Sequence, residues 1–276
     1  MTKMANKNLF AALALSASLL SSPTMAEMAP ASQNLTFNIY AGGIEALNAD
    51  YTIRNLPNKN SEIAIDVTTD GFIGKLFPWA GVYKTVGHFD GDFFVPEEHS
   101  SISDWKGKPK IKKIDFENGE AISYSEEKSG DKEIDNDLSP AMTDNAVDML
   151  SALMILFRQV ETKDTCNTAA TVFDGKRKFN IQLTNPANAA IEPSGYSAYT
   201  GPALKCTLTV VPLEGFSERD QEKGWMAVQN HTAKRGKLPE IWLAELGADK
   251  TLTPVRMEIS SAYGNVVAHL SDYKAD

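Results

Sequence analysis

Apolar and polar residues alternate along the first half of the chain in short runs of strand length. Four such runs lie between residues 34 and 124, and they read NLTFNIYAGG, ALNADYTIRNL, EIAIDVTTD and KIKKIDFENGEAISYS. The dipeptides around them favour tight turns, namely Gly42-Gly43, Asp70-Gly71, Asp90-Gly91 and Asn118-Gly119. Because alternation with a period of two buries one face of a sheet and leaves the other in water, the pattern predicts antiparallel strands.

One segment near the middle of the chain has the character of a buried helix instead. Residues 146–157 carry few polar side chains, Thr143 or Asp144 precedes them as a candidate N-cap, and Arg158 follows near the expected end. A helix that is apolar on nearly all sides is buried. This one is also shorter than the roughly 20 residues that span a bilayer. We therefore expect a sheet to wrap around it.

Strand patterns resume after this helix and continue to the end of the chain. A hairpin is expected around Asp174-Gly175, further strands over ALKCTLTVVPL and EIWLAEL, and a last hairpin near Gly264. Residues 125–139 are polar and predict a mobile insert, and residues 214–237 lack any period and predict a long loop.

Together these patterns predict a mainly β fold that forms a single domain over residues 27–276. We expect a strongly curved antiparallel sheet, a half-barrel or β-spiral, that wraps around one buried apolar helix.

The N-terminal segment has the layout of a secretory signal peptide. Lys3 and Lys7 supply a positive start, residues 9–20 form an apolar run, and small residues lead to a cleavage site after Ala26. A membrane anchor is the alternative, but two serines interrupt the run, which is too short to span a bilayer. Residues 1–26 therefore predict export, a periplasmic location and a mature chain without a transmembrane segment.

Cys166 and Cys206 are the only cysteines of the chain. In an oxidising compartment an even pair is bridged more often than it is free. A catalytic thiol or a CxxC redox motif is the alternative, and the spacing does not fit CxxC. We predict a structural disulfide between them.

Charge and motif content argue against several classes of function. The 36 acidic and 27 basic residues give a net charge of −9, which disfavours a general nucleic-acid binder. No GxSxG, SxxK or glycine-rich phosphate loop is present in the sequence. His88, Asp90 and Asp92 are candidate metal ligands, but Asp90-Gly91 is better explained as a turn. We therefore predict no catalytic residue, no metal, no cofactor and no enzymatic activity.

Apolar and aromatic side chains are the best candidates for a binding site. Methionine suits adaptable apolar surfaces, and tryptophan among cations suits an anionic group. The alternatives are core packing for the helix, a solvated loop around Trp225, and a buried corner for the aromatic stretch 71–83, which would contact a membrane or a partner if exposed. The predicted ligand-binding residues are Met149, Leu153, Met154, Phe157, Phe77, Trp79 and Trp225.

Several local motifs occur in a familiar order along residues 34–270. They are YAGGIEALNADYTI, DNDLSPAM, FDGKRKFNIQL, the strand that Cys206 ends before EGF, EIWLAEL and TPVRMEISSAYG. This arrangement resembles the bacterial secreted domain-of-unknown-function family 3108. The matching positions are Asp174, Gly175, Arg177, Phe179, Trp242, Pro254, Val255 and Arg256.

The resemblance implies an envelope protein without an assigned reaction. It also implies a fold of the lipoprotein-carrier type (LolA/LolB-like), in which a curved antiparallel sheet wraps a helical plug, and it transfers no catalytic residues.

Two functions follow as expectations. The first is a non-enzymatic periplasmic protein that binds a lipid, another apolar ligand or a lipidated partner such as a lipoprotein in its curved sheet. The second is a structural protein that supports the cell envelope through a protein partner and has a filled core. An envelope hydrolase is a third class, and no motif supports it.

Overall fold

A single antiparallel sheet of fourteen strands makes up most of the fold. The computed structural model describes residues 32–56, 60–91, 93–247, 250–261 and 264–275, so the predicted signal peptide lies outside the described residues. The strand order is β8-β7-β6-β5-β4-β3-β2-β1-β14-β13-β12-β11-β10-β9. The first and last strands therefore pair in the middle of the sheet, and β8 and β9 form its two edges.

The strands follow the turn signals of the sequence except at Asp70-Gly71, where a short helix over residues 71–76 begins in place of the predicted tight turn. Their bounds are β1 Gln33–Ala41, β2 Ile44–Asn55, β3 Asn60–Thr69, β4 Trp79–Asp90, β5 Phe93–Trp105, β6 Lys108–Glu117, β7 Glu120–Lys128, β8 Asp131–Asp135, β9 Thr168–Phe173, β10 Lys178–Ile191, β11 Gly201–Glu214, β12 Glu240–Leu246, β13 Thr251–Ser261 and β14 Gly264–Ala275. The helices are α1 Gly71–Leu76, α2 Pro140–Thr143, α3 Met149–Lys163, α4 Glu218–Gln221 and α5 Gly224–Ala233.

The sheet curves around α3. This helix contacts β4 and β5 on one side and β9 and β13 on the other, which a flat sheet would not permit. The edge strands β8 and β9 do not pair with each other, so the sheet stays open. In the segment before α3, Val147 forms an isolated parallel bridge with Val172 of β9. The predicted fold class is confirmed: the protein is mainly β, with a large antiparallel sheet that is not closed into a barrel.

The ends of α3 differ from the prediction. Asp148, not Thr143 or Asp144, is the N-cap, because its carboxylate accepts hydrogen bonds from the backbone N–H groups of Leu150 (2.9 Å) and Ser151 (3.2 Å). Residues 140–143 form the separate helix α2. The helix runs on to Lys163, where its last turn is partly solvated.

The Asp148 carboxylate also fixes the start of α3 to the sheet. It accepts a hydrogen bond from Thr85 Oγ1 in β4 (2.6 Å), and His99 Nδ1 in β5 lies 3.1 Å from the same oxygen. Ser151 Oγ donates to the second oxygen at 2.5 Å. Burial alone would raise the pKa of Asp148, but these partners, with His99 foremost, lower it below the ordinary value.

A disulfide holds the segment after α3 to the opposite wall. Cys166, just beyond the helix, is bonded to Cys206 in β11, and both residues are fully buried. The predicted disulfide is confirmed. Together with the Asp148 contacts, it attaches the two ends of the helical segment to different halves of the sheet.

Two segments predicted as irregular are regular in the structure. Residues 125–139 include the end of β7 and all of β8, whose five residues are exposed and of which all but Ile134 are charged. A solvated, charged strand is typical of a sheet edge, which sequence patterns do not separate from a loop. Residues 214–237 contain α4 and α5, because Ser217 and Asp220 form a capping box that starts α4.

The sheet has two halves, β1 to β8 and β9 to β14, which pair through β1 and β14. Side-chain contacts between β7 and the turn from β9 to β10 also bring the far ends of the two halves together without backbone pairing. Gly175 in that turn has φ +95°, and a Cβ added to it would overlap the ring of Tyr124. Glu126 accepts a hydrogen bond from Tyr124 and lies 3.0 Å from Lys110 Nζ and 3.2 Å from Lys176 Nζ. Burial alone would raise the pKa of Glu126, but Tyr124 and the two lysines lower it to about 2.

We expect the double substitution of Cys166 and Cys206 by Ser to lower the melting temperature by several degrees. The bridge encloses 40 residues, for which loop-closure entropy corresponds to about 4 kcal/mol. Thermal unfolding of both proteins, with and without reductant, checks this. Reductant should lower the melting temperature of the parent only, and an unchanged transition in the variant contradicts the prediction.

Gly175→Ala should destabilise the protein by about 2 kcal/mol or more, because it adds both backbone strain and a collision with Tyr124. Gly130→Ala is the matched control: its φ is +89° and no atom lies within 4 Å of the added Cβ. Urea unfolding should show a clearly larger loss of unfolding free energy for Gly175→Ala than for Gly130→Ala. Equal losses would show that the Tyr124 contact contributes nothing.

Acid should weaken the contact between the two halves of the sheet. The pKa of Glu126 is about 2 in the folded chain against an ordinary 4.5, so its ionised form stabilises the fold above about pH 4.5 and this contribution is lost as the pH falls toward 2. We expect Glu126→Gln to be less stable than the parent at neutral pH and to differ little from it near pH 2. Glu120→Gln, an exposed position of the same strand, should match the parent throughout. Urea unfolding between pH 2 and neutral pH measures the stability of both variants relative to the parent. A stability difference between Glu126→Gln and the parent that does not change with pH contradicts the prediction.

Candidate functional site

A cavity of about 520 Å³ lies between α3 and the inner wall of the sheet. The wall is formed by β1, β2, β3 and β10 to β14, and α5 contributes from the side. The volume is within the range of roughly 300–1,000 Å³ that is common for small-molecule sites. The cavity lies beside the face of α3 that the contacts with β4, β5 and β9 leave uncovered.

One face of α3 supplies the helical side of the cavity. Met149, Leu153 and Phe157 all line it, and their spacing of four residues places them along the same face. Met149 is 38% exposed although it begins a largely buried helix. Trp225 of α5 also lines the cavity and donates a long hydrogen bond from Nε1 to Gln229 (3.4 Å). Four of the predicted ligand-binding residues therefore meet here.

The other three predicted residues lie elsewhere. Met154 is buried between α3 and the strands on its far side, and its sulfur accepts a hydrogen bond from Tyr51. Phe77 follows α1, is half exposed, and has its ring 6.5 Å from that of Trp105. Trp79 begins β4 and donates to Ser103 Oγ at 3.0 Å. None of the three lines the cavity.

The charged groups of the cavity are few and mostly held by partners. In the turn between β9 and β10, Arg177 Nε and Nη2 both bond Asp174 Oδ2, at 2.9 and 2.6 Å, and the guanidinium lies 5.4 Å from the centre of the Phe216 ring. Arg256 in β13 bonds Glu258 at 2.7 Å. These contacts keep both guanidinium groups in place at the cavity wall.

Lys223 is the remaining cationic group that lines the cavity. It is the N-cap residue of α5 without a side-chain capping bond, and it forms no ion pair within the described part of the chain. Tyr51 lines the opposite wall, and burial raises its pKa well above the ordinary value. The cavity is thus an apolar space with an unpaired cation at one side.

The sequence reasoning missed the contribution of the sheet to this site. Phe37 and Ile39 in β1 line the cavity, and their alternation marks one face of a strand, but no pattern tells which strand faces α3. The motifs that carry the family resemblance do point to residues of this cavity. Five of the positions that carry the resemblance line the cavity, namely Asp174, Arg177, Phe179, Pro254 and Arg256.

The other chemical candidates are not arranged as a reactive site. His88 pairs with Glu97 at 3.2 Å on the surface, and Asp92 lies outside the described residues. Within the described ranges, no group of three or more His, Cys, Asp or Glu residues is placed to hold a metal ion. The same part of the chain holds no helix long and apolar enough to cross a membrane.

Two solved structures are similar to this chain in arrangement. The first is a crystal structure of a beta-barrel-like protein of domain of unknown function DUF1849 from Brucella abortus, with 9% identity and a TM-score of 0.47, covering 90% of this chain and 99% of that one. The second is a crystal structure of MucB, with 9% identity and a TM-score of 0.16, covering 89% of this chain and 87% of that one. A comparison with curated proteins gives no significant match.

The model of a protein family of unknown function, DUF3108, matches residues 36–271, which include every strand from β2 to β13. The sequence resemblance is thereby confirmed, and this chain belongs to the DUF3108 family.

Proposed function

We propose that this protein is a non-enzymatic binding protein of the cell envelope that takes an apolar chain into the cavity beside α3. The chain belongs to a lipid, another apolar ligand or the acyl group of a lipidated partner. The observation that carries the proposal is the cavity of about 520 Å³, whose helical side consists of Met149, Leu153 and Phe157. An apolar space of this size is costly to leave in contact with water.

The energetics favour a flexible hydrocarbon over a polar ligand. Each methylene group that leaves water contributes about 0.8 kcal/mol, so a chain of moderate length offsets the cost of its own ordering. Methionine adapts to such a chain more readily than a branched side chain does. The adjacent Lys223, which has no ion pair within the described residues, suits an anionic group at the end of the ligand.

The proposed location is the periplasm. A buried disulfide is typical of proteins that fold in an oxidising compartment, and the described residues include no membrane-spanning helix. Both observations fit a secreted protein. We therefore keep residues 1–26 as a cleaved signal peptide within this proposal.

The alternative of a structural protein expects a filled core. A cavity lined by apolar side chains supports the binding role instead, because nothing in the packing of the described residues fills the space beside Leu153. No catalytic step belongs to the proposal.

The test is to identify what the protein carries and to weaken its binding selectively. We expect mass spectrometry of the protein purified from its own envelope to show a bound lipid or fatty acyl species. A fluorescent fatty acid should bind the emptied protein, and Leu153→Gln should weaken that binding about tenfold by removing apolar contact.

Ile155→Gln is the matched control, since Ile155 is a partly buried apolar residue of the same helix that does not line the cavity. It should bind the fatty acid as the parent does. The proposal would be refuted if the purified protein carried no lipid and did not bind the fluorescent fatty acid. It would also be refuted if Leu153→Gln and Ile155→Gln lost the same affinity for that probe. Melting temperatures of both variants establish that they are folded.

A further inference from the structure

The helix α1 presents apolar side chains to solvent. No residue of this helix is buried, and Phe72 is 66% exposed, Leu76 49% and the following Phe77 50%. Trp105, whose ring lies near that of Phe77, is 46% exposed. Contiguous exposed apolar side chains of this size are unusual on a soluble protein and mark a contact surface. We call Phe72, Leu76, Phe77 and Trp105 the apolar tip.

Polar contacts hold the apolar tip in place without burying it. Asp70 N–H donates to the Ala46 carbonyl at 3.1 Å, and Asn48 Nδ2 donates to the Asp70 carboxylate at 2.9 Å. Thr69 Oγ1 donates to the Phe77 carbonyl at 3.0 Å. Because backbone and polar groups fix the segment, its apolar side chains remain available for a partner.

Three lysines lie in the segments that carry the apolar tip. Lys75 lies within α1, and Lys106 and Lys108 follow Trp105, with Lys106 Nζ 5.5 Å from the centre of the Trp105 ring. None of these lysines forms an ion pair among the described residues. In a chain of net charge −9, this local excess of positive charge is complementary to an anionic surface.

Two carboxylates in the segments that carry the tip, Asp70 and Asp104, form no ion pair with these lysines among the described residues. Asp70 accepts a hydrogen bond from the backbone N–H of Gly71 at 2.6 Å, and Asp104 accepts one from Gly107 at 2.7 Å. Both carboxylates are used to shape the turns that carry the tip.

The sheet topology places a second basic cluster at the same end of the molecule. In an antiparallel sheet successive connections lie at alternate ends, so the β3–β4, β5–β6 and β11–β12 connections share one end. The last of these carries Lys234, Arg235 and Lys237, all exposed and without an ion pair in the described part of the chain. Lys223 and Trp225, which line the cavity, belong to the same connection.

We propose that this end of the sheet docks on the surface of an anionic lipid bilayer. Phe72, Leu76 and Phe77 enter the region between head groups and acyl chains, and the lysines beside them contact the lipid phosphates. An apolar wedge with a basic rim is the combination that peripheral membrane attachment requires, since either signal alone binds weakly. The proposal does not depend on the cavity having a ligand.

The test measures co-sedimentation with vesicles of phosphatidylcholine alone and of phosphatidylcholine with an equal part of phosphatidylglycerol. We expect the protein to bind the anionic vesicles about tenfold more tightly, and high salt to reduce this preference. Phe72→Ser combined with Phe77→Ser should weaken binding to the anionic vesicles about tenfold. Lys75→Glu combined with Lys106→Glu should remove the preference for them.

Phe93→Ser is the matched control. Phe93 is 61% exposed and begins β5, at the opposite end of the sheet. This variant should bind like the parent, and all proteins compared must have the same N-terminus, verified by mass spectrometry. Absence of binding to anionic vesicles, or equal effects of Phe93→Ser and the α1 variant, would overturn the proposal and leave the tip to a protein partner. Leu153→Gln should leave vesicle binding unchanged, so this result and that of the cavity experiment are separable.

Discussion

The hydrogen bonds around the Asp148 carboxylate are the constraint on which the arrangement of this protein depends. A buried carboxylate is stable only when its oxygens are satisfied, and here the partners come from three elements: the backbone and Ser151 of α3, Thr85 of β4 and His99 of β5. The start of α3 is therefore fixed to one half of the sheet, while the disulfide after the helix fixes its other end to β11. The cavity is the space left on the remaining side.

In a closed barrel the edge strands pair through backbone hydrogen bonds, whereas in this open sheet side chains make the contact between the two halves. Tyr124 packs on Gly175, and Glu126 joins Lys110 to Lys176 across the gap between the two halves. The same turn carries Asp174 and Arg177 to the cavity wall. The contact between the halves and the groups that border the cavity are thus parts of a single turn.

Alternation and turn dipeptides predict most of the strands, the antiparallel class and a buried helix, because each is encoded by neighbouring residues. They miss the edge strand β8 and place a tight turn at Asp70-Gly71, where α1 begins. Features that depend on residues distant in the sequence could not be predicted from these local patterns. The N-cap of α3 was misplaced because Asp148 is selected by Thr85 and His99, which are distant in sequence. Residues 125–139 and 214–237 were predicted as irregular because edge strands and short helices lack a strong apolar period. For the cavity, helical spacing pointed to Met149, Leu153 and Phe157, while the sheet residues facing them depend on curvature that no local pattern records.

The pairing of β1 with β14 has a consequence for how the chain reaches this structure. Gln33 in β1 lies opposite Ala275 in β14, so β1 gains one of its two neighbours only after the whole segment from β2 to β14 has been synthesised. Until then the nascent chain has an unsatisfied backbone edge at the centre of the future sheet, where pairing with another molecule is most damaging. Completion of the sheet therefore waits for the synthesis of β14, and until then an unfinished polypeptide exposes a strand edge through which it can pair with its copies.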